Sequence, residues 1–197
     1  EEHMGAESHT QKTSGWRYRL RRAEAIRARE EIHQQNDPKH QGHLHRTFEP
    51  EDFIAALERR YRSLATAFLV MSDQDLAMTA MNFIRATREM GYAGKAEKLW
   101  NCFAAKDFHL IRIDEFAGED GKAIIELIGS LVEKFGSVRQ AWAQKVAHGR
   151  NAVDANMFVD QLTRLQLPDM TPERLRRIFK CMDVDRSGTL TLQEFSR

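Results

Sequence analysis

Cysteine is scarce in this chain: Cys102 and Cys181 are the only two among 197 residues. Two thiols cannot build a disulfide framework, so the fold has to rest on its core, and the usage fits a reducing, cytoplasmic setting. Long apolar runs are missing too. The run at 65–71 is broken by Thr66, far short of the roughly 20 apolar residues that a membrane span requires. An excess of one charge is likewise missing: 30 Lys and Arg face 29 Asp and Glu, for a formal net charge of +1. No long-range basic field exists, which disfavours nucleic acid as a partner of the whole chain. No nucleophile paired with a base, no phosphate-cradling glycine loop and no catalytic metal motif is present, which argues against an enzyme. What the chain does have is ordinary globular material, 42% hydrophobic and 30% charged residues, in a length that suits one or two domains.

Residues 1–49 differ from the rest. Six of the eight histidines lie there (His3, His9, His33, His40, His43, His45), together with few large apolar residues. Between Lys12 and Arg29 seven basic residues accompany one acid, Glu24, and Trp16, Leu20 and Ala23 share a helical face. This segment reads as an arm with one short Arg-rich helix, suited to contact with an acidic protein partner, a membrane surface or nucleic acid, or else solvated or packed on its own domain. His40, His43 and His45 lack the carboxylate or thiolate that would complete a zinc site, and read as solvated side chains.

From residue 50 onward the chain is helical in pattern and repeats itself. Phe53, Leu57, Tyr61, Ser63 and Phe68 match Leu127, Leu131, Phe135, Ser137 and Trp142 at an offset of 74. Phe83 matches Phe158 at 75, and Leu99, Cys102 and Phe103 match Ile178, Cys181 and Met182 at 79. Two similar halves follow, 50–120 and 121–197. The link between them is expected at residues 117–121, where Gly118 and Gly121 would stop a helix.

One stretch has the spacing of a cation loop. Residues 183–194 place Asp183, Asp185 and Ser187 on alternate positions, with Gly188 at the sharp turn and Glu194 at the twelfth place. Calcium is a hard cation that takes six to eight oxygens, and this order of oxygens resembles the EF-hand loop at every constrained position. The resemblance implies side-chain ligands from Asp183, Asp185 and Ser187, the backbone carbonyl of Thr189, Thr191 directly or through water, and both oxygens of Glu194. Ahead of the loop, Leu175, Phe179 and Met182 form one face of a helix that Thr171 caps and Pro172 begins. The repeat extends the resemblance to the whole of 52–197, in the manner of calmodulin-like proteins and of multi-EF-hand proteins from protists, dinoflagellates especially. The implied fold is all-α: two tandem EF-hand pairs behind a basic helical arm.

Three of the four units keep the shape and lose the ligands. Residues 104–115 put Ala104 and Lys106 where oxygens are needed; 146–157 put Val146, His148, Arg150 and Met157 there. Residues 71–82 offer Asp73 and Asp75 between Met71 and Asn82, and their register against the third unit slips from 74 to 75, which predicts an altered backbone in the first loop. An apolar residue survives at the eighth position of all four (Met78, Ile111, Val153, Leu190). It predicts that Met78 bridges to Ile111 and Val153 to Leu190. The chain ends three residues after Glu194, without the usual exiting helix, which predicts a fragment or a loosely held site with affinity of about 10 µM or weaker.

Function follows as an expectation: a calcium-binding sensor or adaptor that docks a protein partner such as a helical peptide. Its groove would be lined by Leu175, Phe179, Met182, Phe158 and Leu162. The alternative is a calcium-insensitive structural subunit whose degenerate units are docking surfaces. Cys102 and Cys181, at matching places ahead of their loops, read as packing residues.

Overall fold

The computed structural model describes residues 50–92, 94–104 and 109–196. The arm at 1–49, with its Arg-rich helix and its histidines, lies outside them. The described fold is mostly helical, and sheet occurs in it only as two short two-stranded ladders. In the first half α1 (Pro50–Tyr61) and α2 (Leu64–Met71) lead into β1 (Ala77–Thr79) and α3 (Ala80–Glu89). Then α4 (Ala96–Phe103) leads into β2 (Leu110–Arg112) and α5 (Ile113–Ala117). The second half repeats this order. It runs α6 (Glu119–Phe135), α7 (Val138–Ala141), a π-helical turn (Trp142–Val146), β3 (Ala152–Asp154), α8 (Ala155–Arg164), α9 (Pro172–Met182), β4 (Thr189–Thr191) and α10 (Leu192–Phe195).

Matching caps start matching helices. Ser63 Oγ accepts the Thr66 N–H at 3.0 Å and Ser137 Oγ accepts that of Gln140 at 3.2 Å. Thr79 and Asp154 do the same for Asn82 and Met157. Each cap satisfies one of the free N–H groups at a helix start and contributes about 1 kcal/mol. Thr171 caps α9, with Pro172 in its first turn, as its sequence implies.

The ladders form as expected from the apolar eighth positions. Met78 lies opposite Ile111, and Val153 opposite Leu190, each pair antiparallel. All four side chains are buried. Behind each ladder the aromatic contacts also repeat. Phe68 meets Phe116 with ring centroids 5.5 Å apart, and Trp142 meets Phe195 at 5.2 Å. Phe83 meets Trp100 at 5.5 Å, and Phe158 meets Phe179 at 5.6 Å. Large side chains buried in this way contribute about 1.5–3 kcal/mol each, which makes these clusters the main source of stability in each half.

Two expectations are corrected. The one-residue slip in the repeat does not set the first loop apart from the third, although both differ from 183–194, where Arg186 and Gly188 are left-handed. Asp73 (φ 57°) and Gln74 (φ 69°) share the left-handed conformation of His148 (φ 48°) and Gly149 (φ 82°), their partners at an offset of 75. The extra residue sits upstream, in the second half. There the Ala147 N–H donates to the Trp142 carbonyl five residues back, whereas the Ser72 N–H donates to Phe68 four residues back, both at 2.8 Å. The π turn absorbs the insertion, which is the usual origin of such turns.

The expected link at 117–121 is also shorter than predicted. Only Gly118 (φ 61°, ψ −129°) interrupts the helix, in a conformation that side chains resist, and α6 resumes at Glu119. Gly121 lies inside α6 and serves close approach: a Cβ there would come within 2.2 Å of the Ile113 carbonyl oxygen. The halves therefore meet through α5 and α6 at Gly118, and again where α9 packs on α2.

Candidate metal centre

The 183–194 loop hangs between α9 and α10. Asp183 is the residue after α9, and its N–H is bonded to the Phe179 carbonyl at 2.9 Å. Arg186 (φ 61°) and Gly188 (φ 77°) take left-handed conformations that curl the chain inward. Inside the curl, hydrogen bonds from the loop's own backbone aim the oxygens. The Ser187 N–H donates to Asp185 Oδ1 at 2.9 Å and the Gly188 N–H to Asp183 Oδ2 at 3.1 Å. The Ser187 hydroxyl donates to the Thr189 carbonyl at 3.0 Å, so these two predicted oxygens also converge.

Asp183, Asp185 and Glu194 each direct a carboxylate oxygen into one space, with the three oxygens within 4.8 Å of one another. No other cluster of three or more such side chains occurs among the described residues. Two of the carboxylates are incompletely satisfied: Asp183 Oδ1 and Glu194 Oε1 are buried and have no hydrogen-bond partner. Glu194 itself is only 8% exposed. A buried polar atom without a partner costs about 1–3 kcal/mol, more when charged, and like charges this close oppose one another. The donor set is all hard oxygen, which fits calcium in kind. The hydrogen bonds from Ser187 hold the Asp185 carboxyl below the usual carboxylate range, so it is ionised at neutral pH.

Thr191 is bonded to Glu194 three times over. Its hydroxyl donates to Glu194 Oε2 at 3.0 Å and accepts the Glu194 N–H at 3.3 Å, while its own N–H also donates to Oε2 at 3.0 Å. Thr191 is thus engaged in orienting Glu194. The signal was in the sequence: Thr followed three residues later by Glu is a capping box. Two features position Glu194. That box fixes one oxygen, and the neighbouring Phe195 is buried against Trp142 and Phe158.

Two of the other loops hold contacts of their own. In the third, Arg150 Nη1 lies 2.9 Å from Met157 Sδ, joining the fifth and twelfth positions, and His148 Nε2 is 3.0 Å from Gln161 Oε1. In the second, Glu115 keeps the bond of its twelfth position, accepting the Arg112 N–H at 3.3 Å.

The residues expected to line a groove once calcium is bound lie inside the fold. Leu175, Phe179, Met182, Phe158 and Leu162 are all buried in the core of the second half. Charges that sequence reasoning did not pair hold α9 across that core: Arg174 bonds Glu126 of α6 at 2.6 Å, and Arg177 bonds Asp120. Cys181 is buried, which pushes its thiol up to about 11. Cys102 is half-buried, with its thiol donating to the Lys98 carbonyl. No helix of the described residues is long and apolar enough to cross a membrane. Neither protein-family models nor curated proteins give a match to the chain.

Proposed function

We propose that this chain is a calcium-binding EF-hand sensor or adaptor, with its working site at 183–194 and three degenerate units that serve the fold. The observation that carries this reading is the pair of buried, unpartnered oxygens, Asp183 Oδ1 and Glu194 Oε1, within one cluster of three carboxylates. Asp183, Asp185 and Glu194 would hold the ion, Ser187 and the Thr189 carbonyl would complete the oxygen set, and Thr191 would keep Glu194 in place. The bound ion supplies positive charge that offsets the mutual repulsion of the carboxylates. The chain's own response would be a movement of α9, since Asp183 caps its end. That movement would uncover Leu175, Phe179 and Met182 for an apolar face of a partner helix. The basic arm would add contact with a protein surface.

A second reading is favoured by one observation. The five groove residues are buried, and α9 is held to α6 by Arg174 and Arg177. A unit that stays closed would be a calcium-insensitive structural subunit. Calcium titration with a hydrophobic dye separates the two. A calcium-dependent rise in dye fluorescence supports the sensor. Calcium uptake with unchanged fluorescence supports the structural subunit.

A further inference from the structure

The metal loop is tied to the opposite half of the molecule at two points near its start. The hydroxyl of Thr66, in α2, donates to the Cys181 carbonyl at 3.0 Å in a buried contact. The hydroxyl of Ser63, the cap of α2, lies 3.6 Å from Cys181 Sγ. Cys181 stands two residues before Asp183, and its carbonyl is among the last of α9, which no helical N–H can reach. Within the loop, Arg186 lies between Asp185 and Ser187, and its Nη2 donates to the Arg60 carbonyl near the end of α1 at 2.6 Å. Two helix-end carbonyls, one in each half, are thus satisfied across the boundary, and both contacts adjoin residues of the cation loop.

We infer that cation binding at 183–194 and docking of α9 and its loop onto the first half form one coupled equilibrium. The inference rests on the calcium reading of that loop. When the halves are docked, Thr66 fixes the turn that ends at Asp183 and Arg186 fixes the curl that aims Asp185 and Ser187. The loop then has less freedom to lose on binding, so the docked chain takes calcium more tightly. Linkage makes the effect reciprocal: calcium tightens the docking of α1 and α2 by the same factor.

The test is calorimetric titration of the full chain with calcium, comparing wild type with Thr66→Val, Arg186→Ala and Arg186→Lys. Thr66→Val keeps the shape and removes the donor. Arg186→Ala removes the donor and also a positive charge beside the cation. Coulomb repulsion between two positive charges predicts that losing this charge tightens binding, whereas lost docking weakens it, so the sign discriminates. The expected result is at least about fivefold weaker binding in Thr66→Val and Arg186→Ala, with Arg186→Lys close to wild type. Hydrogen exchange of the α2 amides should slow on calcium addition in wild type and respond less in both variants. Unchanged or tighter binding by Arg186→Ala overturns the coupling, and because Arg186 is exposed this variant decides the matter even where Thr66→Val fails to fold. A wild-type chain that takes up no calcium overturns the metal reading itself. Equal affinities in wild type and variants overturn the coupling alone.

Discussion

Phe68 and Trp142 occupy equivalent places in the two halves, yet the N–H that closes on each carbonyl comes from four residues ahead of Phe68 and from five ahead of Trp142. Each ring meets its equivalent partner, Phe116 or Phe195, at nearly the same separation. The extra residue in the second half is therefore accommodated along the helix without displacing the core.

A deletion should be tolerated where deletions seldom are. Ala143, Gln144 and Lys145 are exposed within the π turn. Removing Gln144 gives the second half the length of the first, and the turn should revert to α-helix. Thermal melting is expected to shift by no more than about 5 °C, or about 1 kcal/mol. Deleting Arg85 from the exposed side of α3, where no such turn exists, should cost far more. Equal losses from the two deletions would count against the insertion account.

Glu194→Gln should weaken calcium binding at least about tenfold, since ligand charge sets affinity at such sites. Calorimetry on wild type should return one site per chain. Two or more stoichiometric sites would mean that the degenerate loops ligate after all.

Thr191→Val should act at a distance of one bond from the cation. Loss of the hydroxyl removes a cap worth about 1 kcal/mol and releases Glu194 Oε2, so both melting temperature and calcium affinity should fall. Thr191→Ser, which retains the hydroxyl, should restore most of both. Affinity falling in the valine variant with no change in melting would argue that Thr191 is itself a ligand.

The cysteines should be chemically distinct. At pH 8 an alkylating reagent should modify half-buried Cys102 and spare Cys181 until the chain unfolds. Folding raises the Cys181 thiol from 9.0 to about 11 by burial, so the folded state holds a proton that the unfolded state releases. Its contribution to stability is complete below pH 9 and is lost as pH rises to about 11, by about 3 kcal/mol over that interval. Urea melts should show wild type losing about that much more stability than Cys181→Ala across this range.

Much of this was legible in sequence, for identifiable reasons. Met78, Ile111, Val153 and Leu190 could be paired because an apolar residue at a fixed place in a polar loop has to bury itself. Thr171 and Pro172 announce the start of α9 through local chemistry. The slip from 74 to 75 was visible, but not its location, because a π turn has no side-chain signature of its own. Gly121 looked like a helix stop, since close backbone approach and chain termination both select glycine. The Thr66 to Cys181 contact joins residues 115 apart in sequence, and no local pattern could foretell it. The burial of the groove residues depends on where α9 rests, which is likewise a tertiary matter.

The two ladders have a consequence for how such a molecule can change over generations. Each pair of units is joined by two apolar side chains that face one another across a ladder, so a substitution elsewhere in a loop leaves the pairing standing. Placing Asp, Asp and Glu at positions 146, 148 and 157 would alter the chemistry of that loop and leave the Val153 to Leu190 pairing in place. A scaffold of this kind separates inheritance of the pairing from inheritance of the loop's chemistry, and lets the second change one loop at a time.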